Sequence, residues 1–178
     1  MQKIFKLWLP FAVTVSAFCA LTYASVQQAY RQDANDPQIQ MAQDAARALD
    51  NGAVLTDLVP IAQVEISHSL APFIVVYDLQ GNPVAGSGVL AGQLPAYPQG
   101  ALDSAKPSGE NRVTWQPAAG VRVASVVVPY KDGFVMAGRN LREVEKREDQ
   151  AFKFAAITWV LAMAASLVVI AFGEWALK

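Results

Sequence analysis

The sequence predicts an α+β domain, an antiparallel sheet with an N-terminal helix, held between two membrane-spanning helices. Three observations predict it. Two uncharged apolar stretches lie near the ends of a 178-residue chain. Between them the apolar period changes from helical to extended. The extended runs are separated by turn residues close enough in sequence for tight antiparallel connections.

The first stretch, LWLPFAVTVSAFCALTYA, runs eighteen residues without a charge, and the second, FAAITWVLAMAASLVVIAF, runs nineteen. At about 1.5 Å per residue each approaches the roughly 30 Å of a bilayer core. Trp8 and Trp175 sit at one end of each stretch, and Tyr23 and Tyr30 at the far end of the first. Amphipathic aromatics prefer these interfacial depths. The spans are placed at residues 7–25 and 154–172. Lys3 and Lys6 could also form the basic start of a cleaved signal peptide, but the apolar stretch exceeds the usual 7–15 residues of one. Retention as an anchor is the expectation.

The same lysines place residues 1–6 in the cytoplasm. Two crossings then return the tail, 173–178, to the cytoplasm and leave the intervening domain outside it. This is the expected arrangement in a bacterial inner membrane, with the domain periplasmic. Long segments translocate largely regardless of charge, so Arg139, Arg142, Lys146 and Arg147 do not oppose it. The formal net charge of −1 offers no basic field for nucleic acid. The single cysteine, Cys19, lies in the first apolar stretch, which removes disulfide frameworks and cysteine metal sites from the domain.

Within the domain, placed at residues 26–139, Asp36 before Pro37 is a helix-start signal. The helix carries Ile39, Ala42, Ala45, Ala46 and Leu49 on one face, turns Asp44 and Arg47 outward, and ends before Gly52. VLTDLVPIAQVEISHSL reads as a short helix or loop. PFIVVYD, the turn LQGNP and VAGSGVL read as a hairpin. The Gly- and Pro-rich AGQLPAYPQGALDSAKPSGEN reads as a long loop with at most one short helix. RVTWQP, VRVASVVVPY and FVMAGRN complete the sheet as a meander, with Asp132-Gly133 a tight-turn signal and VRVASVVVPY, mostly apolar on both faces, expected to be the central strand and covered on both sides. Residues 140–153 form a connecting helix into the second span, with Leu141, Val144, Ala151 and Ala155 as its apolar stripe.

The hairpin FIVVYDLQGNPVAGSG, the pair VRVASVVVPYKDGFVMAGRN and the flanking helices together resemble the input half of bacterial membrane sensors. There a PAS-like domain of the PDC or Cache type sits outside the cytoplasm between two transmembrane helices. SLAPFIVVYD, GENRVTWQP and GFVMAGRNLREVEKRE also resemble a group of small two-span bacterial proteins related to such sensors. The resemblance implies a PAS-like sheet and a sensing or accessory role. It departs from the sensor pattern after the second span, where only six residues follow, so a signal is expected to pass to a separate protein.

Chemistry is sparse. His68 stands alone between serines, without a nucleophile elbow, since Gly86-Ser87-Gly88 lacks the spacing. Asp57, Glu65, Asp78, Asp103, Glu110 and Asp132 are scattered singly, and no phosphate loop or dinucleotide fingerprint occurs. No catalytic residue, metal site or cofactor is expected. A ligand pocket, as PAS-like domains hold, would draw on Tyr77, Trp115, Arg122 and Tyr130, since Arg clamps carboxylates and aromatics wall apolar pockets. The plainer reading, and the favoured one, makes the aromatics core and Arg122 surface. In the spans, Ser16, Cys19, Ala162 and Ser166 are small enough for close helix packing in lipid. The expected function is a non-catalytic accessory or structural subunit that contacts the bilayer and other integral membrane proteins. The alternative is a ligand sensor that signals through a separate membrane partner.

Overall fold

A computed structural model describes residues 2–176, and of residue 2 and residues 31–36 the backbone only. Met1, Leu177 and Lys178 of the expected cytoplasmic ends, and the side chain of the expected cap Asp36, lie outside the described residues. The chain forms two compact units. Unit 1 comprises the residues up to Tyr30 with those from Lys146 onward, and unit 2 is Arg31–Glu145.

Unit 2 is α+β. Helix α1 (Gln2–Asp50) contributes its C-terminal part to this unit, followed by α2 (Leu55–Leu58), β1 (Val64–Glu65), β2 (Phe73–Asp78), β3 (Pro83–Gly86) and β4 (Gly88–Val89). Helix α3 (Gln99–Ser108), β5 (Asn111–Ala118), β6 (Val121–Tyr130) and β7 (Gly133–Asn140) come next, and α4 (Arg142–Ala176) begins here. The main sheet is five-stranded and antiparallel, ordered β3-β2-β7-β6-β5, with a small parallel pair β1-β4 beside it.

Two apolar layers hold it. On one face Ala42, Ala45 and Ala46 of α1 lie against Ile74, Val76, Val126, Val128, Val135 and Ala137. Alanines at helical spacing let the helix backbone approach the sheet closely. On the other face Leu102 and Ala105 of α3 pack with Phe73, Val75, Tyr77, Val123, Phe134 and Met136. Asp44 and Arg47 point outward and pair with each other.

The expected strands appear where the sequence places them, and VRVASVVVPY spans β6 from end to end. It is interior and buried on both faces, although β7 is the middle strand, because β2 pairs along β7. VAGSGVL divides at Ser87 into β3 and β4, since Ser87 Oγ accepts from the Ile74 amide and the chain leaves to pair with β1. The loop passage contains one helix, α3.

Helix α1 runs through Pro37 instead of starting there. Proline forfeits one helical hydrogen bond, but the alanine face that follows it is anchored on the sheet. The C-terminus is as expected: Gly52 adopts φ +88° and its N–H bonds to the Leu49 carbonyl, while the Ala53 N–H reaches Ala48. Gly133 has a different role from a positive-φ turn residue. It is absent from that region of φ, and a Cβ there would run into the Tyr77 carbonyl oxygen across the ladder.

Unit 1 contains the N-terminal part of α1 and most of α4, with Lys3–Tyr30 and Arg142–Ala176 both long and apolar enough to cross a membrane.

Candidate functional site

Strand alternation decides where the four candidate ligand residues go, because successive side chains point to opposite faces. On β6, Val121, Val123 and Val127 join the α3-side layer, and Val126 and Val128 the α1-side layer. Arg122 and Tyr130 share the parity of the second set. Tyr77 and Trp115 belong to the first. The structure therefore divides the four between the two faces and does not gather them into one pocket.

Tyr77 and Trp115 are joined through Tyr97, with ring centroids 5.9 Å and 5.0 Å apart. Tyr77 is fully buried, and its phenol donates to the Pro95 carbonyl at 3.0 Å. The Tyr97 hydroxyl meets Ser125 Oγ at 2.7 Å, and Ser125 donates onward to the Val113 carbonyl. Burial raises the pKa of both phenols above the ordinary tyrosine value. The polar atoms of this cluster are already paired with the protein, which is how a core aromatic is satisfied. Tyr97 escaped the sequence reading because it lies in a Gly- and Pro-rich passage. Its signal was an isolated aromatic in Pro95-Ala96-Tyr97-Pro98.

Arg122 clamps a carboxylate, but one of this chain: its guanidinium pairs with Glu145 at 2.5 Å, both partly exposed. Tyr130 packs at the margin of the alanine layer. Its pKa is raised first by burial and then by the negative charges of Asp132, Asp78 and Asp50.

A second constellation, unmarked by composition, lies where β7 gives way to α4. Asn140 Nδ2 donates to the Ile66 carbonyl at 2.8 Å, Arg142 Nη2 to His68 at 3.1 Å, and Arg139 Nε to Leu70 at 3.0 Å. His68 thus enters through its backbone. No group of three or more His, Cys, Asp or Glu among the described residues is placed to hold a metal ion. Unit 2 also has a groove of about 570 Å³ between the segment around Val59, Pro60 and Ile61 and the strand residues Ala85, Gly86 and Val89.

In unit 1 the two helices exchange indole hydrogen bonds. Trp8 Nε1 donates to Ser166 Oγ at 3.0 Å, and Trp159 Nε1 to Ser16 Oγ at 2.9 Å. Lys3 and Glu174 pair at 3.0 Å, and the rings of Tyr23 and Phe152 meet edge-on. Of the four small residues expected to pack, Ser16 and Ser166 accept these bonds. Cys19 lines a groove of about 500 Å³ with Thr22, Phe154 and Ala155, and Ala162 is half-buried. The sequence pointed to the serines as small residues and missed the tryptophans as their donors.

No protein-family model, curated protein or solved structure matches the chain. The resemblance to sensor modules therefore stands on its strand and turn pattern alone.

Proposed function

We propose that this is a two-pass protein of the bacterial inner membrane, a non-catalytic accessory or structural subunit of a larger membrane assembly. Both ends lie in the cytoplasm and a PAS-like domain is displayed outside it. Its partners are other integral membrane proteins.

One observation carries this reading: the side-chain distribution inverts along α1. In unit 2 small apolar residues face inward and charges face outward. In unit 1 the large apolar residues face outward, with Phe18 70% and Leu21 67% exposed, while Ala12 is buried. Helix α4 does the same with Phe154, Val169 and Phe172, and buries none of its residues fully. Apolar surface on this scale is costly in water and is covered by lipid or by other membrane helices.

Purification of the full chain from native membranes in mild detergent tests it. Defined integral membrane proteins should accompany it through two chromatographic steps, and recovery as an isolated species would overturn the proposal. Protease added to intact cells with a permeabilised outer membrane should cut within unit 2 and spare both ends.

The alternative, a ligand sensor reporting through a separate membrane partner, finds support in the groove beside β3. Its volume lies in the range of small-molecule sites. A metabolite that raises the melting temperature of the chain, and fails to do so after Val59→Trp fills the groove, would favour the sensor over the purely structural subunit.

A further inference from the structure

We propose that the segment Ile66–Leu70 is a strap that holds the first turn of α4 in place, with Asn140 as the positioning residue through which movement of either is passed to the other.

The strap lies between β1 and β2. Three of its alternate carbonyls, on Ile66, His68 and Leu70, accept from Asn140, Arg142 and Arg139 in turn. Its Ile66 end is fixed, the amide bonding to the Val89 carbonyl and the side chain buried in the core. Beyond it the amides of His68 and Ser69 bond back to the Glu65 carbonyl, and that of the following Ala71 to Ser69 Oγ. Without the donors from β7 and α4, none of these bonds fixes residues 68–70 of the strap against the sheet.

Asn140 is the shared part. Its side chain is buried, and both ends of its amide are used: Nδ2 reaches the strap, and Oδ1 accepts from the Arg142 N–H at 2.8 Å. The first N–H groups of a helix have no intrahelical partner, and asparagine is among the best residues to supply one. One rigid, planar group therefore caps α4 and anchors the strap. If the strap lifts far enough to shift the Ile66 carbonyl, a buried amide loses its acceptor, a penalty that is relieved only by turning the group and giving up the cap. The same turn of α4 has a second anchor in Arg122, whose carbonyl accepts from the Leu141 N–H and whose guanidinium pairs with Glu145. Strap, cap and ion pair share one turn of helix, so loosening at one end lowers the stability of the other, and this coupling is reciprocal.

Hydrogen exchange on the full chain in detergent micelles tests it. Arg139→Gln removes only the side-chain bond to Leu70. Exchange should quicken at the strap amides and, by about fivefold as ordinary coupling between sites allows, at the amides of residues 143–146, with the centre of β2 unchanged. Arg122→Gln should act in reverse, quickening exchange in a strap that its side chain does not touch. Asn140→Asp keeps a cap oxygen but loses the donor, so adding Arg139→Gln to it should no longer affect residues 143–146. Acceleration confined to the strap overturns the proposal, as does an equal acceleration throughout the sheet. Should Arg139→Gln fail to fold, Arg122→Gln carries the same test from the other end.

Discussion

Tyr77→Phe separates an aromatic core from an aromatic ligand wall. The ring itself is retained, so the change removes one phenol and leaves the buried Pro95 carbonyl without its donor. Leaving a buried acceptor unpaired costs about 1–3 kcal/mol. For a domain of this size that lowers the melting temperature by roughly 5–15 °C. The neighbouring substitutions should fall in a fixed order around it. Trp115→Ala empties a large buried site and should cost about 3–5 kcal/mol. Tyr97→Phe leaves Ser125 still bonded to Val113, so only one hydrogen bond is lost, about 0.5–1.5 kcal/mol. Arg122→Ala breaks an ion pair whose side chains are 51% and 39% exposed, and screening keeps its loss below about 1 kcal/mol. The assay is thermal and denaturant unfolding of the full chain in detergent, followed by near-ultraviolet circular dichroism. A Tyr77→Phe protein as stable as the parent, or one more stable than Tyr97→Phe, would refute the core assignment and return the cluster to candidacy as a pocket wall.

Three further outcomes are expected. In a double-mutant cycle in bilayers, Trp8→Phe and Ser166→Ala should show a coupling of about 0.6–1.7 kcal/mol, the range for hydrogen bonds between membrane helices, and none if the bond is absent. At low pH unit 2 should weaken partly through Asp78, whose carboxyl is held below its usual pKa by the Asn82 side chain and then by the amides of Asn82 and Gln80. Because the folded pKa is the lower one, this contribution is complete above about pH 4 and is lost as pH falls below it, and Asp78→Asn should flatten that limb of the stability curve. At high pH the buried phenols of Tyr77 and Tyr97 act in the opposite sense: their folded pKa is raised, so their contribution is complete below about pH 10 and lost above it. Tyrosinate absorbance should show those two titrating only as the domain unfolds.

The sheet was legible because its strands obey simple alternation. VRVASVVVPY could be read as an interior strand from its apolar faces alone, and the turn residues bounded its neighbours. The pieces that escaped are those whose structure depends on distant partners. Val64–Glu65 and Gly88–Val89 are too short to carry a period, and only their mutual pairing makes them strands. Pro37 carried a strong local start signal, which a helix anchored on the sheet overrode. The candidate site shows the same division. Residue type selected Tyr77, Trp115, Arg122 and Tyr130, but face is a matter of register, and register separates them. Asn140 gave no signal at all: its importance comes from the Ile66 carbonyl, 74 residues away.

The edges of the sheet narrow where a partner can bind. An open edge strand offers unpaired backbone groups to any extended chain, and proteins blunt such edges with short strands, prolines and bulges. Both edges here are treated in this way. Strand β3 has four residues, begins at Pro83, and meets β2 through a register shift at Val76 and Tyr77. Strand β5 carries Pro117 inside a second shift, between Trp115 and Ala118. A proline cannot donate to an added strand, and a bulge breaks the regular spacing that one would need. Strand addition is therefore a poor mode of association for this domain, whether with another protein or with a second copy. Both faces of the sheet are already covered by α1 and α3. Of the surfaces left for recognition, most of the exposed large apolar side chains belong to unit 1. For the membrane subunit proposed above, this distribution favours association through unit 1, with a folded domain that resists associating through its strands.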